Sequence, residues 1–409
     1  MEHLVIYVNT LPVYNKSGGI KTFLLELLLS FAERKNENIR YHLLCTEKNF
    51  ELFERFDAYP NFEKTILKVD NINPVKRIFF EQFQLNKTFK KNEKAILLNI
   101  CNVALMKCAI PQVTIIQAQQ SIASLRKIIP KNYITISTFH RVYYDLLVNR
   151  SIDISAKTIC ISNYMQQFLE SKKDKTVIIH EGVNLLQYQT NTKENSLLPK
   201  IPYIFSLSTL FPHKNMDKLI MAYSLLKKER NIEHKLVIAG KDPDNKQLKY
   251  LQQVAKEQDV ENDVIFLGWV ATEDIPSLYR NASLFVYISS MEFFGLPVLE
   301  AMASNVPVVA ANKMSIPEVV NDAGILVEPD DIRQVAEKMY EVLMSETLQN
   351  SLIKKGQHNK YEFYYRYTRK CRTEQLCSQQ SRNYRLYKID RRRIGQPQCK
   401  MQFNSAGLC

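Results

Sequence analysis

Two glutamates with seven residues between them, Glu292 and Glu300, form the pattern with the clearest chemistry in this chain. The segment between them contains Phe294, Gly295, Leu296 and Pro297. A carboxylate accepts hydrogen bonds from pairs of hydroxyl groups and repels phosphate. The acidic pair therefore predicts contacts with a polyol.

The elements around this pair predict an anion site beside it. Residues 282–288 are apolar and predict a buried strand, whereas residues 297–304 predict a helix with proline in its first turn. The free N–H groups and the dipole of such a helix favour negative charge above the end of the strand. Phosphate next to a polyol describes a sugar nucleotide, which is the ligand that this segment predicts.

A second group of candidate ligands follows the predicted strand at residues 203–207. Thr209 and His213 can donate hydrogen bonds to a diphosphate, and Lys214 can place a cation beside it. A solvated loop lysine is the alternative. The position of Lys214 in the sheet, equivalent to that of the acidic pair, favours the functional interpretation.

Paired glycines, Gly18 and Gly19, lie between the first predicted strand and the first predicted helix. They would let the backbone approach a ligand closely and adopt positive φ. The segment is not a Walker A phosphate loop, because Asn15 and Ile20 stand where that motif requires glycine. A tight turn without a ligand is the alternative.

Strand-like and helix-like runs alternate through most of the 409 residues, which predicts an α/β protein with parallel sheets in two domains. We expect a first Rossmann-like domain at 1–185, a linker at 186–200, a second Rossmann-like domain at 201–353 and a basic tail at 354–409. The linker prediction depends on a polar, aperiodic composition.

The charge is concentrated in that tail, which contains 14 of the 55 lysines and arginines but 3 of the 42 acidic residues. Its net charge is +11, and the remaining chain carries +2 of the total +13. The total therefore does not argue for a nucleic-acid partner. Eight cysteines without a C-x-x-C pair argue against zinc and against a disulfide framework.

Neither a spanning apolar run nor a basic signal segment is visible, so we expect a cytoplasmic protein. Residues 75–85 predict an aromatic and basic amphipathic helix, with Lys76, Arg77, Phe79 and Phe83, followed by further lysines. This helix can pack on the sheet with a solvated face. The alternative is peripheral contact with an anionic membrane or with a lipid-linked substrate.

The motifs of residues 203–353 resemble the donor-binding domain of retaining GT-B glycosyltransferases, in the large family four. The resemblance is carried by Pro212-His213-Lys214-Asn215, Val237-Ile238-Ala239-Gly240, Phe266-Leu267-Gly268, the segment from Glu292 to Glu300, and Pro317-Glu318-Val319-Val320. The first half resembles the family more weakly, through residues 18–19, 160–162 and 181–184.

This resemblance implies two Rossmann-like domains that face a central cleft. It also implies transfer of a sugar from a nucleotide-diphosphate donor, with retention and without a metal ion or other cofactor. Glu292 and Lys214 would be catalytic, contacting the sugar hydroxyls and the diphosphate, and Glu300 would hold the ribose. The other donor-binding residues implied are Gly18, Gly19, Thr209, His213, Gly240, Phe294, Gly295, Leu296 and Pro297.

The chain departs from this family pattern in three places. Thr209 stands where many members have arginine, and His213 would partly substitute for it. The His-Asp pair of many members is replaced at residues 117–120 by Gln-Ala-Gln-Gln, which leaves His140 as a weak candidate. The resemblance ends at Gly356, where we expect out-of-frame or fused sequence instead of a returning helix; a basic tail that binds membrane or nucleic acid is the alternative.

We therefore predict a hexosyltransferase of surface polysaccharide biosynthesis, whose partners are a nucleotide-sugar donor and a glycan or lipid-linked acceptor. No nucleic-acid partner is expected. Two alternatives are a donor-binding subunit without turnover and a sugar-nucleotide epimerase. The sequence does not show which sugar, nucleotide, acceptor or linkage is involved.

Overall fold

The computed structural model describes residues 3–15, 17, 19–34, 36–89, 94–117, 138–169, 174–190, 199–243 and 246–370, without the side chains at 138–141, 145, 186, 190 and 360–370. The described strands form two parallel sheets of seven and six strands. Helices lie between most successive strands, so the predicted α/β architecture with two Rossmann-like domains is confirmed.

The first sheet has the order β3-β2-β1-β4-β5-β6-β7. Its strands are β1 (Leu4–Asn9), β2 (Ile39–Cys45), β3 (Phe62–Ile66), β4 (Ala95–Asn99), β5 (Gln112–Ile116), β6 (Lys157–Cys160) and β7 (Thr176–Ile178). The helices of this domain are α1 (Gly19–Glu33), α2 (Pro74–Phe83), α3 (Thr138–Ile154), α4 (Asn163–Gln167) and α5 (Leu185–Thr190), with 3-10 helices at Phe50–Ala58 and Leu85–Thr88.

The second sheet has the order β10-β9-β8-β11-β12-β13. Its strands are β8 (Tyr203–Leu207), β9 (Lys235–Ala239), β10 (Val264–Gly268), β11 (Leu284–Tyr287), β12 (Val308–Ala311) and β13 (Ile325–Val327). Its helices are α6 (Met216–Arg230), α7 (Lys246–Glu257), α8 (Ile275–Arg280), α9 (Leu296–Ala303), α10 (Ile316–Val320), α11 (Ile332–Met344) and α12 (Glu346–Lys370), with a 3-10 helix at Pro212–Lys214.

Both sheets reverse their strand order at one point, between β1 and β4 in the first and between β8 and β11 in the second. Ligands of open parallel sheets bind at the carboxyl ends of the strands beside such a switch point. The strand β8 leads to Thr209 and Lys214, and β11 leads to Glu292. The fold therefore places the predicted donor residues where a ligand is expected.

The two domains share a hydrophobic core. One buried cluster contains side chains of both sheets, such as Val8 and Phe205, which are each 0% exposed. Apolar strands such as β11, whose four residues are all buried, require covering on both faces. Within the described ranges, no helix is both long enough and apolar enough to cross a membrane.

Two helices cross the predicted domain boundaries. Helix α5 occupies the beginning of the predicted linker, and Arg280 of α8 donates a hydrogen bond to the Tyr188 carbonyl of α5 at 3.3 Å. Helix α12 continues past the predicted beginning of the tail, residue 354, to Lys370. The Asn359 side chain of α12 is 4% exposed, and its Nδ2 donates to the Val319 carbonyl at 2.7 Å. Residues 371–409 lie outside the described residues.

Candidate active site

Lys214, Tyr287 and Glu292 form one hydrogen-bonded cluster at the switch point of the second sheet. The Glu292 carboxylate accepts a hydrogen bond from the Tyr287 hydroxyl at 2.7 Å and pairs with the Lys214 ammonium. Lys214 Nζ also lies 3.1 Å from the Tyr287 hydroxyl. The side chains of Lys214 and Glu292 are only 13% and 15% exposed. The structure thus brings together the two residues predicted to be catalytic.

The cluster keeps Glu292 ionised. Burial opposes ionisation, but the Lys214 charge and hydrogen bonds from Lys214, Tyr287 and Ser289 together hold the pKa of Glu292 below its usual value. A carboxylate in this state can accept hydrogen bonds from sugar hydroxyls. The ammonium beside it can stabilise an anion that enters the site.

His213 lies next to this cluster but carries no charge at neutral pH. Its side chain is buried and stacks on Phe211, with ring centroids 5.6 Å apart. Burial and the neighbouring Lys214 lower the pKa of His213 to about 4, against the opposing effect of Glu292. A neutral imidazole cannot supply the positive charge of an arginine. His213 can therefore stand in for the family's arginine as a hydrogen-bond donor, but without its positive charge.

Asn215 is a positioning residue that the sequence analysis did not single out. It adopts a left-handed backbone with φ of 54°. Its Nδ2 donates to the Ile288 carbonyl at 2.8 Å and to the Ser290 hydroxyl at 2.6 Å. These bonds tie the loop after β8 to the loop after β11, so that Lys214 and Glu292 stay adjacent. The signal was its position directly after Lys214, because asparagine tolerates left-handed backbone.

The turn before α9 requires glycine. Gly295 has φ of 108°, and a Cβ atom there would lie 2.5 Å from Cδ1 of Ile316. The Ser315 hydroxyl donates to the carbonyls of Glu292 at 2.8 Å and of Phe294 at 3.1 Å. Leu296 and Pro297 then begin α9. The predicted strand, turn and helix are present, and the loop at 292–295 (the acidic loop) is held from the α10 side.

Glu300, in the middle of α9, belongs to a second cluster of hydrogen-bonded side chains. Its carboxylate accepts a hydrogen bond from the Tyr279 hydroxyl at 2.9 Å and another from Tyr188. Burial raises the pKa of Glu300, and these hydrogen bonds oppose the rise. Burial raises the pKa of Glu26 in α1, Arg55 opposes this rise, and the charges of Glu33 and Glu300 add to it. Tyr188, which donates to Glu300, is a residue that sequence reasoning missed.

The two remaining donor-binding candidates of the second domain, Gly240 and Thr209, follow the strands β9 and β8. Gly240 has φ of 145°, and a Cβ atom there would lie 1.6 Å from the Ser208 carbonyl oxygen. The backbone at Gly240, directly after β9, therefore passes so close to the backbone of Ser208 that only glycine fits. Thr209 is exposed at the end of β8.

The predicted glycine pair is described at one position, because Gly18 lies outside the described residues. Gly19 is the first residue of α1, so the expected positive φ is absent there. Among the residues that the structure describes, none has an atom within 4 Å of a Cβ atom built on Gly19. Open space at the beginning of α1 leaves room for the close approach of a ligand.

Glu181 is a buried carboxyl group of the first domain that the sequence analysis named only within the weakly resembling segment 181–184. It is 8% exposed and lies after β7, with Gln117 Nε2 at 3.5 Å from its Oε1. Burial and the negative charge of Glu292 raise the pKa of Glu181 to about 8. It is therefore mostly protonated at neutral pH. Its position directly after a strand was the available signal.

The candidate His140 and residues 118–120 cannot be placed in this site, because the side chain of the former and the whole of the latter lie outside the described residues. In the part of the chain that the structure does describe, no three His, Cys, Asp or Glu side chains group as a metal site requires.

Solved structures share this architecture along nearly the whole chain. Anabaena Alr3699/HepE, solved in complex with UDP and glucose, has a TM-score of 0.66 at 17% identity, covering 91% of this chain and 99% of its own. WaaG, a glycosyltransferase involved in lipopolysaccharide biosynthesis, has a TM-score of 0.64 at 15% identity, covering 90% and 98%. At these identities the likeness concerns the fold, which is the GT-B fold.

The sequence comparisons identify the second half of the chain. Residues 188–359 match the model described as glycosyl transferases group 1. This part of the GT-B protein is therefore a glycosyl transferases group 1 domain. The match extends three residues beyond Gly356, where the resemblance was expected to end.

Curated relatives match over part of their length. The O-antigen chain mannosyltransferase B of Escherichia coli is 36% identical over 154 residues, which cover 38% of this chain and 40% of the relative. The O-antigen chain mannosyltransferase RfbU of Salmonella typhimurium is 26% identical over 200 residues, which cover 48% and 53%. The chain thus aligns with about half or less of each of these relatives.

Proposed function

We propose that this protein transfers a hexose from a nucleotide-diphosphate sugar to a glycan or lipid-linked acceptor in surface polysaccharide biosynthesis. The observation that carries the proposal is the Lys214–Tyr287–Glu292 cluster at the switch point of the second sheet. The family match and the O-antigen mannosyltransferase relatives support the same reaction class.

Binding of the donor would separate the ion pair between Lys214 and Glu292. Lys214 would turn to the diphosphate, and Glu292 would accept hydrogen bonds from the hydroxyls of the transferred sugar. Both groups are already ordered and largely desolvated, so they would stabilise the separating diphosphate with little reorganisation. We infer a metal-independent reaction, because the ammonium supplies the positive charge that the leaving group needs.

The nucleoside and the stereochemistry follow from the rest of the site. Glu300, held by Tyr279 and Tyr188, would bind the ribose hydroxyls, and the backbone of the turn at 294–297 would lie against the donor. Retention of the anomeric configuration is the outcome that the two-glutamate pattern of the resembled family implies. Product analysis by NMR, with an α-linked donor giving a β-linked product, would refute it.

Glu292→Ala tests the central assignment. We expect the transfer rate to fall by about 10³-fold or more, because the interaction is strongest with the reacting sugar. Circular dichroism and thermal unfolding should show a folded protein. Glu337→Ala, at an exposed glutamate of α11, is the matched control and should transfer at the wild-type rate. Full activity of the Glu292 variant would remove that residue from the mechanism.

A donor-binding subunit without turnover remains the second candidate, favoured by the Gln-Ala-Gln-Gln segment at 117–120. Calorimetric titration with nucleoside diphosphates, beside a transfer assay on the same preparation, separates the two functions. Nucleotide binding without sugar transfer or donor hydrolysis would favour the subunit.

We further propose that α2 contacts an anionic membrane. Its outer face exposes Val75, Phe79 and Phe83 by 55%, 55% and 67%, with the two phenylalanine rings 4.9 Å apart. Lys76 is exposed on the same helix. Arg77, predicted as part of this basic face, instead turns inward and pairs with the buried Glu81 at 3.7 Å. Partition of the protein onto anionic vesicles tests the contact.

A further inference from the structure

One short segment of the second domain, residues 315–318, contacts both the acidic loop and the first domain. Its first residue, Ser315, donates hydrogen bonds to two carbonyls of the acidic loop. Its second residue, Ile316, fills the space in front of Gly295. Its last residue, Glu318, points the other way.

The Glu318 carboxylate binds three residues of the first domain. Its Oε1 accepts hydrogen bonds from the backbone N–H of Asn163 at 2.9 Å and from Asn163 Nδ2 at 2.6 Å. The same oxygen lies 2.5 Å from His180 Nε2. Its Oε2 accepts from the backbone N–H of Tyr164 at 3.2 Å. These four bonds all cross the domain boundary.

The first-domain residues that hold Glu318 also contact the acidic loop. The Tyr164 ring meets Phe293 edge to face, with centroids 6.1 Å apart, and the His180 ring lies 6.0 Å from that of Phe294. Phe293 and Phe294 are 5% and 2% exposed. Two buried aromatic contacts and one carboxylate therefore link the backbone next to Glu292 to the first domain.

Stabilising its own helix would be the ordinary role of a glutamate in a first turn. The contacts of Glu318 indicate another role, because its oxygens bind groups of the other domain. Burial opposes its ionisation, yet the bonds from His180, Asn163 and Tyr164 hold the pKa of Glu318 below its usual value. An ionised, part-buried carboxylate makes strong hydrogen bonds to N–H donors.

We propose that Glu318 is a positioning residue, which joins the domains through Asn163, Tyr164 and His180 and thereby sets the acidic loop, with Glu292, against the first domain. Its effect on transfer rests on the proposed function. Misplacement of a reacting group by about 1 Å can cost about 10²-fold in rate. Loss of this link should therefore affect turnover more than nucleotide affinity, since the donor residues of the second domain stay intact.

Amide hydrogen exchange tests the link without any assay of activity. In Glu318→Ala the backbone amides of Asn163 and Tyr164 should exchange about tenfold faster or more, because they lose their acceptors. In Glu318→Gln the exchange rates of these amides should lie between those of Glu318→Ala and of the wild type, since the side-chain amide oxygen still accepts a hydrogen bond. Glu346→Ala, at an exposed glutamate in the first turn of α12, is the control and should leave both amides unchanged. Thermal unfolding of each variant confirms that it is folded.

Kinetics then test the consequence. We expect kcat of Glu318→Ala to fall about tenfold or more, partial recovery in Glu318→Gln, and a nucleoside diphosphate affinity within about twofold of the wild type. Unchanged exchange at Asn163 and Tyr164 would overturn the link itself. Faster exchange with unchanged kcat would overturn the positioning role. A wild-type protein that transfers no sugar would defeat the proposed function, whereas the exchange result would still decide whether Glu318 joins the domains.

Discussion

The two sides of the site are built differently. In the second domain the backbone conformation determines the shape of the site. Gly240 and Gly295 have positive φ, and Asn215 bridges two loops. In the first domain carboxyl groups lie on separate elements: the half-buried Glu26 is affected by the charge of Glu300, and the buried Glu181 by the charge of Glu292. A surface shaped by the backbone needs particular residue types at fixed spacings, so it leaves a motif in the sequence. A surface assembled from scattered side chains does not.

Glu292 and Glu181 show the same difference in their protonation. Glu292 is ionised because a lysine and a tyrosine stabilise its charge, whereas burial beside Glu292 keeps Glu181 protonated. One carboxylate and one carboxylic acid therefore lie close together at neutral pH. The first can only accept hydrogen bonds, and the second can also donate one.

The largest effect that would separate the two sides concerns their glycines. Gly240→Ala should destabilise the protein by about 3 kcal/mol or more, because its Cβ atom would overlap the Ser208 carbonyl at 1.6 Å and its φ is unfavourable. Urea unfolding measures the change. Gly19→Ala, where the added Cβ meets no atom, is the matched variant of the first domain and should stay within about 0.5 kcal/mol of the wild type. Equal losses in both variants would contradict a backbone-built second domain.

The next effect concerns Glu181 and depends on pH. Because folding raises its pKa from 4.5 to about 8, its neutral form contributes fully below pH 4.5, and the contribution is lost as the pH rises through about 8. Glu181→Gln keeps the shape of the acid without the titration. Above pH 8 its free energy of unfolding in urea should therefore exceed that of the wild type, by at most about 5 kcal/mol, and the difference should vanish near pH 4.5.

Parallel curves for Glu181→Gln and the wild type between pH 4.5 and 9 would show that Glu181 does not titrate in this window. Gln117→Ala is a useful companion, since it removes the amide 3.5 Å from Glu181 without removing the carboxyl group. Its stability should keep the wild-type dependence on pH.

The smallest expected effect concerns the outer face of the first domain. Phe79→Ser with Phe83→Ser should leave urea unfolding nearly unchanged, since both side chains are more than half exposed. Binding to anionic vesicles in a sedimentation assay should fall about tenfold. Trp269→Ser, at an exposed aromatic of the second domain, is the control. Equal vesicle binding by all three proteins would remove α2 from the proposed membrane contact.

The sequence predicted the second domain well, for physical reasons that particular elements show. The strand predicted at residues 282–288 corresponds to β11 (Leu284–Tyr287), and the helix predicted at 297–304 corresponds to α9 (Leu296–Ala303). In the first domain β3 was missed, because three adjacent polar residues separate the two apolar residues of this edge strand, Phe-Glu-Lys-Thr-Ile. Helix α3 was missed too, since its apolar residues do not form one clear stripe.

The contacts across the boundary could not be predicted at all. The sequence analysis named Glu318 only within the motif Pro317-Glu318-Val319-Val320, because nothing in the local sequence shows that its partners lie more than 130 residues earlier. Tyr188 was assigned to a linker, although it contacts Glu300. Local patterns specify elements, whereas such pairs depend on how the domains pack.

The hydrogen bond from Asn359 to the Val319 carbonyl shows that the beginning of the atypical tail has a structural role. Val319 follows Glu318 in α10, so a deletion at Gly356 would strip a donor from the helix that joins the two domains. A C-terminally truncated protein preserves this hydrogen bond only if it retains Asn359. Whatever the origin of the residues beyond it, the first turn after Gly356 belongs to the working scaffold.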